Sequence, residues 1–221
     1  MITLYELAGK NDLRFSPPCW NVKLCLLYKN IDFETVAVGF SEKNKISFSN
    51  QQLVPVLKHQ NGHISDSWNI INWLDENYEN PKLFVNETSK NFSHFLYHWT
   101  SRQILPILFK IIAHEIPNIL EGDDLDHYIV TREERIKGPI TKFVPVISDS
   151  IKNVRNLINP MRSLIKKNGF ISGSNPGIED FIFFGNFKWV YTCSSCNLLD
   201  KEDEIFQWYK KINQIFNIET H

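Results

Sequence analysis

The stretch Val54-Pro55-Val56-Leu57-Lys58-His59-Gln60-Asn61-Gly62-His63-Ile64-Ser65-Asp66-Ser67 decides how this chain is read. Residues 54–58 and 63–65 are short β-rich runs flanking Gln60-Asn61-Gly62, and an Asn-Gly pair tolerates the positive φ angles of a tight hairpin turn. Pro55 removes a ladder donor, so it marks an edge, a strand start or a bulge. Asp66-Ser67 then opens a helix running to about Tyr78, with Ile70, Ile71, Leu74 and Tyr78 on one face.

Upstream of the hairpin the pattern alternates. Ile2–Leu7 is a short β-rich run, and Phe33–Val38 alternates with period two and is β-branched. Between them, Ser16 followed by Pro17 reads as an N-cap with proline at the first helical position, and the helix continues from Cys19 to Lys29. Asn30 supplies a left-handed stop. Residues 41–50 are polar and read as a short irregular helix. The order β-α-β-α-β-β-α is the thioredoxin-like arrangement.

Beyond Asn80-Pro81 strand signals nearly vanish. Helix-period runs cover 92–120, 126–137, 140–168, 178–192 and 202–215, with Pro106 and Pro117 expected to kink or split the first. The predicted fold class is therefore α/β plus all-α: a thioredoxin-like domain over residues 1–82 and an all-helical domain over 90–221.

The chain has 221 residues, long enough to bury a substantial core without staples. Lys and Arg number 24 against 25 Asp and Glu, so bulk charge draws it toward neither nucleic acid nor an anionic membrane. No stretch approaches the roughly 18 apolar residues of a membrane span. Met1–Glu6 lacks the basic head and apolar run of a secretory signal. Four cysteines, paired as Cys19/Cys25 and Cys193/Cys196, do not make a secreted disulfide framework, and a reducing cytosolic address is expected.

Three features of the first domain fall at element ends: Ser16-Pro17-Pro18-Cys19 at a helix mouth, Val54-Pro55 at a strand start, and Asp66-Ser67 at a second helix mouth. Each has a plain structural reading, as cap, helix starter or strand edge. Read together, they converge on one rim of the sheet.

In their order, Phe15-Ser16-Pro17-Pro18-Cys19-Trp20, Val54-Pro55-Val56-Leu57 and Ile64-Ser65-Asp66-Ser67-Trp68-Asn69-Ile70 resemble a soluble, serine-type glutathione transferase. They are most similar to the branch of bacterial β-aryl etherases and related fungal transferases. The likeness extends over the whole chain and is strongest over 1–85. Gly173-Ser174-Asn175-Pro176-Gly177-Ile178-Glu179-Asp180 resembles the family's start of a buried core helix, with Gly177 in place of a Ser or Thr cap.

The resemblance implies glutathione as co-substrate. Ser16 would be the catalytic residue, donating a hydrogen bond to the glutathione sulfur. Ser67 and the helix start behind it would receive the γ-glutamyl carboxylate, Asp66 the ammonium, and Val54 beside Pro55 the cysteinyl backbone. Gln52, Lys43 and Lys45 are alternatives for the glycyl carboxylate, and Trp20 is counted with the binding residues. A hydrophobic or aromatic acceptor would lie against the helical domain, near Trp20, Tyr97, Trp99 or Arg102. A detoxifying homodimer is implied by the resemblance, with no role for metal, nucleic acid or membrane.

The cysteines give a rival chemistry. In a Cys-x-x-Cys redox site the attacking thiolate occupies the first position, and here that position is Ser16, so Cys19 reads as packing. Cys193-x-x-Cys196 has zinc-ligand spacing but no second pair, and also reads as packing or surface thiols. His94 and His98, one helical turn apart, read as solvent or cleft residues. Two further functions stay open at this point: glutathione-dependent cleavage of β-aryl ethers, and ligand binding or scaffolding without turnover.

Overall fold

The computed structural model describes residues 1–219; the last two residues of the 90–221 unit lie outside the described residues. The first unit contains β1 (Ile2–Leu7), α1 (Pro17–Tyr28), β2 (Phe33–Val38), β3 (Val56–His59), β4 (Gly62–Ser65) and α2 (Ser67–Asn77). The strand order is β2-β1-β3-β4; β1 runs parallel to β2 and antiparallel to β3, and the β3–β4 hairpin turns through Gln60-Asn61, with Gly62 already paired to His59. This is the predicted thioredoxin-like arrangement. The polar run 41–50 forms a 3-10 helix over Lys43–Ser49 that ends on left-handed Asn50.

The sheet is covered on both faces. Ile2, Leu4 and Leu57 face the main core, while Val38, Ile46 and Val56 form a small second cluster with Tyr5 and Val54. The 3-10 segment supplies Ile46 to that second cluster, which explains why so polar a stretch is ordered.

The helical unit contains α3 (Glu87–Trp99), α4 (Leu105–Ile112), α5 (Gly122–Ile136), α6 (Ile147–Leu157), α7 (Asn159–Asn168), α8 (Ile178–Cys193) and α9 (Glu204–Ile215). Within the first predicted run the helix is continuous through Pro106, with a π turn over Thr100–Ile104 just before it, where α3 passes into α4. The run 140–168 is not one helix. Pro145 lies within a 3-10 segment over Ile140–Val146, and Pro160 starts α7, because proline can begin a helix but cannot donate inside one. No helix of the described residues is long and apolar enough to cross a membrane.

The two units meet along α1 and α8. Trp20 packs edge-on against Phe184 at 5.9 Å and Tyr28 against Phe181 at 5.4 Å, aromatic pairs worth about 0.5–1.5 kcal/mol each beyond their buried area. Pressed between its own sheet and α8, α1 buries residues all round, including Cys19, Val22, Leu24, Cys25 and Leu26.

The start of α8 is built on Asp180. Its carboxylate accepts from the backbone of Ile171, Ser172 and Gly177 and from Trp208 Nε1 at 2.6–3.1 Å. Gly177 has no side chain to complete a reciprocal cap. A β-carbon there would stand 2.8 Å from the Ser172 side chain, so the missing cap follows from lack of space.

Candidate active site

Strand register brings the predicted site segments to one end of the sheet. Tyr5 pairs with Val56, and Val56 with Ser65. The exit of β1, the entry to β3 with its cis Val54–Pro55 bond, and the exit of β4 into Asp66 therefore share a rim. Ser16, reached by the loop that leaves β1, is the N-cap of α1.

The Ser16 hydroxyl makes no capping bond. Of the two N–H groups an N-cap side chain ordinarily reaches, those of the second and third helical residues, the first is missing because Pro18 occupies that position. Ser16 is only 8% exposed, yet it lines two adjoining cavities of about 550 and 480 Å³. Leu7, Pro18, Phe40 and Arg132 belong to both walls, so the cavities meet at Ser16.

The smaller cavity carries Val54, Gln52 and Lys43 alongside His127. The larger is walled by aromatic rings, Phe15, Phe109, Tyr128 and Trp189 among them, and reaches α4 and α5. Asp66 is an N-cap whose Oδ1 accepts from the Trp68 and Asn69 amides, 3.0 Å each. Its backbone is held at φ 70°, ψ 125°, a conformation L residues rarely adopt and one that tends to persist at functional sites. Ser67 is 2% exposed and its hydroxyl pairs with Tyr97 Oη at 2.7 Å. Burial raises the Tyr97 phenol above its ordinary range, partly offset by Ser67. Pro55, Asp66 and Ser67 lie outside the two cavity walls.

Trp20 has to be moved. It is 6% exposed, its indole N–H donates to the Arg14 carbonyl at 2.8 Å, and its ring meets Phe184 in the interdomain core. The resemblance counted this ring with the binding residues; docking of α8 turns it inward. Tyr97, Trp99 and Arg102 likewise lie outside the wall of the larger cavity, which draws instead on α4, α5 and α8.

Cys19 is buried, and loss of water pushes its thiol up to about 12; a hydrogen bond with Ser16 acts in the opposite sense, and the Glu6 charge pushes it further up. Such a thiol stays protonated at neutral pH and is a poor nucleophile. Burial also raises the Cys193 and Cys196 thiols. Among the described residues no group of three potential ligands gathers for a metal ion. His94 and His98 face one another, Nε2 to Nε2 at 2.9 Å, with His94 stacked on Trp68.

Residues 12–82 match the family model for the glutathione S-transferase N-terminal domain, and residues 91–210 the model for its C-terminal domain. This chain belongs to the glutathione S-transferase family. A glutathione S-transferase of Ceriporiopsis subvermispora, solved in complex with glutathione, superposes with a TM-score of 0.83 at 18% identity, covering 98% of this chain and 96% of that one. Transferase GSTFuA3 of Phanerochaete chrysosporium gives 0.79 at 18% identity with the same coverage. A glutathione S-transferase of Rhodospirillum rubrum gives 0.70 at 20%, covering 96% and 88%. The glutathione S-transferase fold is therefore that of this chain.

Several wall residues carried no sequence signal. Leu7, Phe40, Tyr128 and Arg132 reach the site because α5 docks over the end of β2. There Asp124 Oδ1 accepts from Ser41 N at 2.8 Å and Ser41 Oγ at 2.5 Å. Gly39 leaves room for that carboxylate, since a β-carbon would fall 2.1 Å from Asp124 Oδ2.

Proposed function

We propose that this transferase holds the glutathione sulfur as a thiolate on the Ser16 hydroxyl and directs it at a hydrophobic aromatic electrophile in the larger cavity. The observation that carries the reading is an N-cap serine whose hydroxyl makes no capping bond, standing where two cavities join. Val54 and Gln52 would receive the tripeptide backbone and glycyl carboxylate in the smaller cavity, with Asp66 and Ser67 taking the γ-glutamyl end farther along the rim. Because the Ser67 hydroxyl is already paired with Tyr97 and Asp66 takes the Trp68 and Asn69 amides, the Ser67 amide would carry more of that anchoring.

The energetics favour the hydroxyl. A cysteinyl thiol has a pKa of about 8.5, and lowering it by two units takes about 2.7 kcal/mol. A helix N-terminus offers about 0.3–1 kcal/mol, up to about 2 in protected geometry. With Pro17 and Pro18 removing two N–H donors, α1 supplies less than an ordinary helix. A hydrogen bond to a charged group contributes about 1.5–3 kcal/mol, so Ser16 carries the larger share.

The test is retention on immobilised glutathione followed by conjugation of 1-chloro-2,4-dinitrobenzene, run beside a chromogenic β-aryl ether. Turnover of the chloride supports transfer. Turnover of the ether alone moves the assignment to ether cleavage, and retention without turnover makes the chain a binding protein. The implied homodimer is read from the molar mass in solution.

A further inference from the structure

The net charge of the chain is −1, yet the charged groups on the two cavity walls are all cationic: Lys43, Lys110, Arg132 and Arg135, with no carboxylate among them. Among the described residues none of the four forms an ion pair within 4.0 Å. The nearby acids are engaged elsewhere. Asp124 is bound to Ser41, Glu42 to Lys45 and the Gly39 amide, and Glu133 to the Ile140 amide.

Arg132 is the centre of this group. It belongs to both walls, and its guanidinium carbon lies 5.3 Å from the ring centroids of both Phe40 and Tyr128. Two aromatic faces fix the plane of a guanidinium without consuming its donors. Among the described residues its one side-chain hydrogen bond is from Nη1 to Thr131 Oγ1 at 3.0 Å, which leaves the rest of the fork for a ligand. Arg135 lies over Phe109 at 5.6 Å and extends the same positive wall toward solvent.

We propose that the acceptor is an aromatic anion, its ring seated between Phe40 and Phe109 and its carboxylate held by the Arg132 fork. The proposal rests on the reading of Ser16 as holder of the thiolate. Lys43 and Gln52 line only the smaller cavity, where they would take the glycyl carboxylate of glutathione, while Lys110 and Arg135 line only the larger one, the chamber left for the acceptor. A bidentate guanidinium–carboxylate pair is both strong and directional, so it orients the ring as well as binding it. In the reaction the glutathione sulfur bonds to the ring carbon, the carbon–chlorine bond of a chloroarene acceptor breaks, and chloride leaves with the electron pair. The thiol proton goes to solvent.

The experiment uses the full chain with 4-chloro-3,5-dinitrobenzoate and its methyl ester, two acceptors with the same ring that differ in charge. Wild type is expected to prefer the acid in kcat/KM, after correction for the uncatalysed rates. Arg132→Gln is expected to lower that acid-over-ester preference at least tenfold, and Arg132→Lys to restore part of it. In parallel, the unreactive 3,5-dinitrobenzoate and its methyl ester are titrated against protein fluorescence, to which Trp189 contributes from the same wall. The acid is expected to bind wild type at least tenfold tighter than it binds Arg132→Gln, with the ester showing no such ratio. A preference that Arg132→Gln leaves unchanged, or a wild type that favours the ester, overturns the proposal. Tight, Arg132-dependent binding of the acid without turnover of either chloroarene upholds the anion subsite and overturns the catalytic reading of Ser16.

Discussion

Gly185 of α8 lies directly against Pro17 of α1: a β-carbon added to Gly185 would stand 2.7 Å from the Pro17 carbonyl oxygen and 3.2 Å from its Cα. The neighbouring Asn21 amide, turned so that its nitrogen donates, bonds the Pro17 and Phe181 carbonyls at 3.0 Å each. The helical domain thus fixes the residue next to Ser16 through backbone contact, which has no flexible end to move aside. Gly185→Ala is expected to cost about 1–3 kcal/mol by overpacking. It should also lower glutathione transfer by displacing the α1 terminus. Denaturant unfolding and steady-state kinetics measure the two effects, and a variant of full stability and full activity would refute the contact.

Ser16→Ala separates capping from catalysis. Replacing a working serine N-cap with alanine costs about 1 kcal/mol. Because this hydroxyl caps nothing, the unfolding midpoint should move by less than half of that. Transfer to 1-chloro-2,4-dinitrobenzene should fall at least tenfold, and the thiolate absorbance of bound glutathione should titrate at higher pH. A stability loss with unchanged turnover reverses the assignment.

Cys19→Ala tests the rival nucleophile. With its thiol pushed up to about 12 by burial, Cys19 should resist alkylation in the native protein at pH 8. The variant should keep most of its transferase activity. Loss of activity in a well-folded Cys19→Ala protein would return the thiol to the mechanism.

Lys188 gives a pH signature. It is buried on α8, its ammonium donating to the Glu219 carbonyl at 2.6 Å and lying 5.3 Å from the Trp20 ring centroid. Burial, with Lys23 adding to it, lowers its pKa to about 8. The unfolded chain therefore binds more protons than the folded one between about pH 8 and the ordinary lysine value, and stability attributable to this group rises with pH across that window. Lys188→Met is expected to melt higher than wild type at pH 7, with the difference shrinking as pH rises above 8. A difference that does not change with pH would show that the ammonium is not desolvated.

The first domain was legible because its signals are local. Asn61-Gly62 marks a hairpin, whose turn proves to be Gln60-Asn61, Ser16-Pro17 a helix start, and Asn30 a helix stop, adopting φ 51°. Pro145 and Pro160 were as visible as Pro106, but the apolar periodicity through 140–168 concealed the breaks they make. The orientation of Trp20 was not legible, because α1 is apolar on all sides and only its partners decide which ring faces the cleft.

The sequence by itself determined the order of strands and helices in the first domain and the element ends at which Ser16, Val54 and Asp66 sit, since short-range turn and cap chemistry sets where the chain reverses. Tertiary structure alone decided that Trp20 belongs to the core and that Arg132 overlooks both cavities. Those facts depend on how α5 and α8 dock. Docking is settled by contacts between residues far apart in the chain, such as Asp124 with Ser41 and Gly185 with Pro17. No periodicity records such contacts, because neither partner's local conformation requires the other.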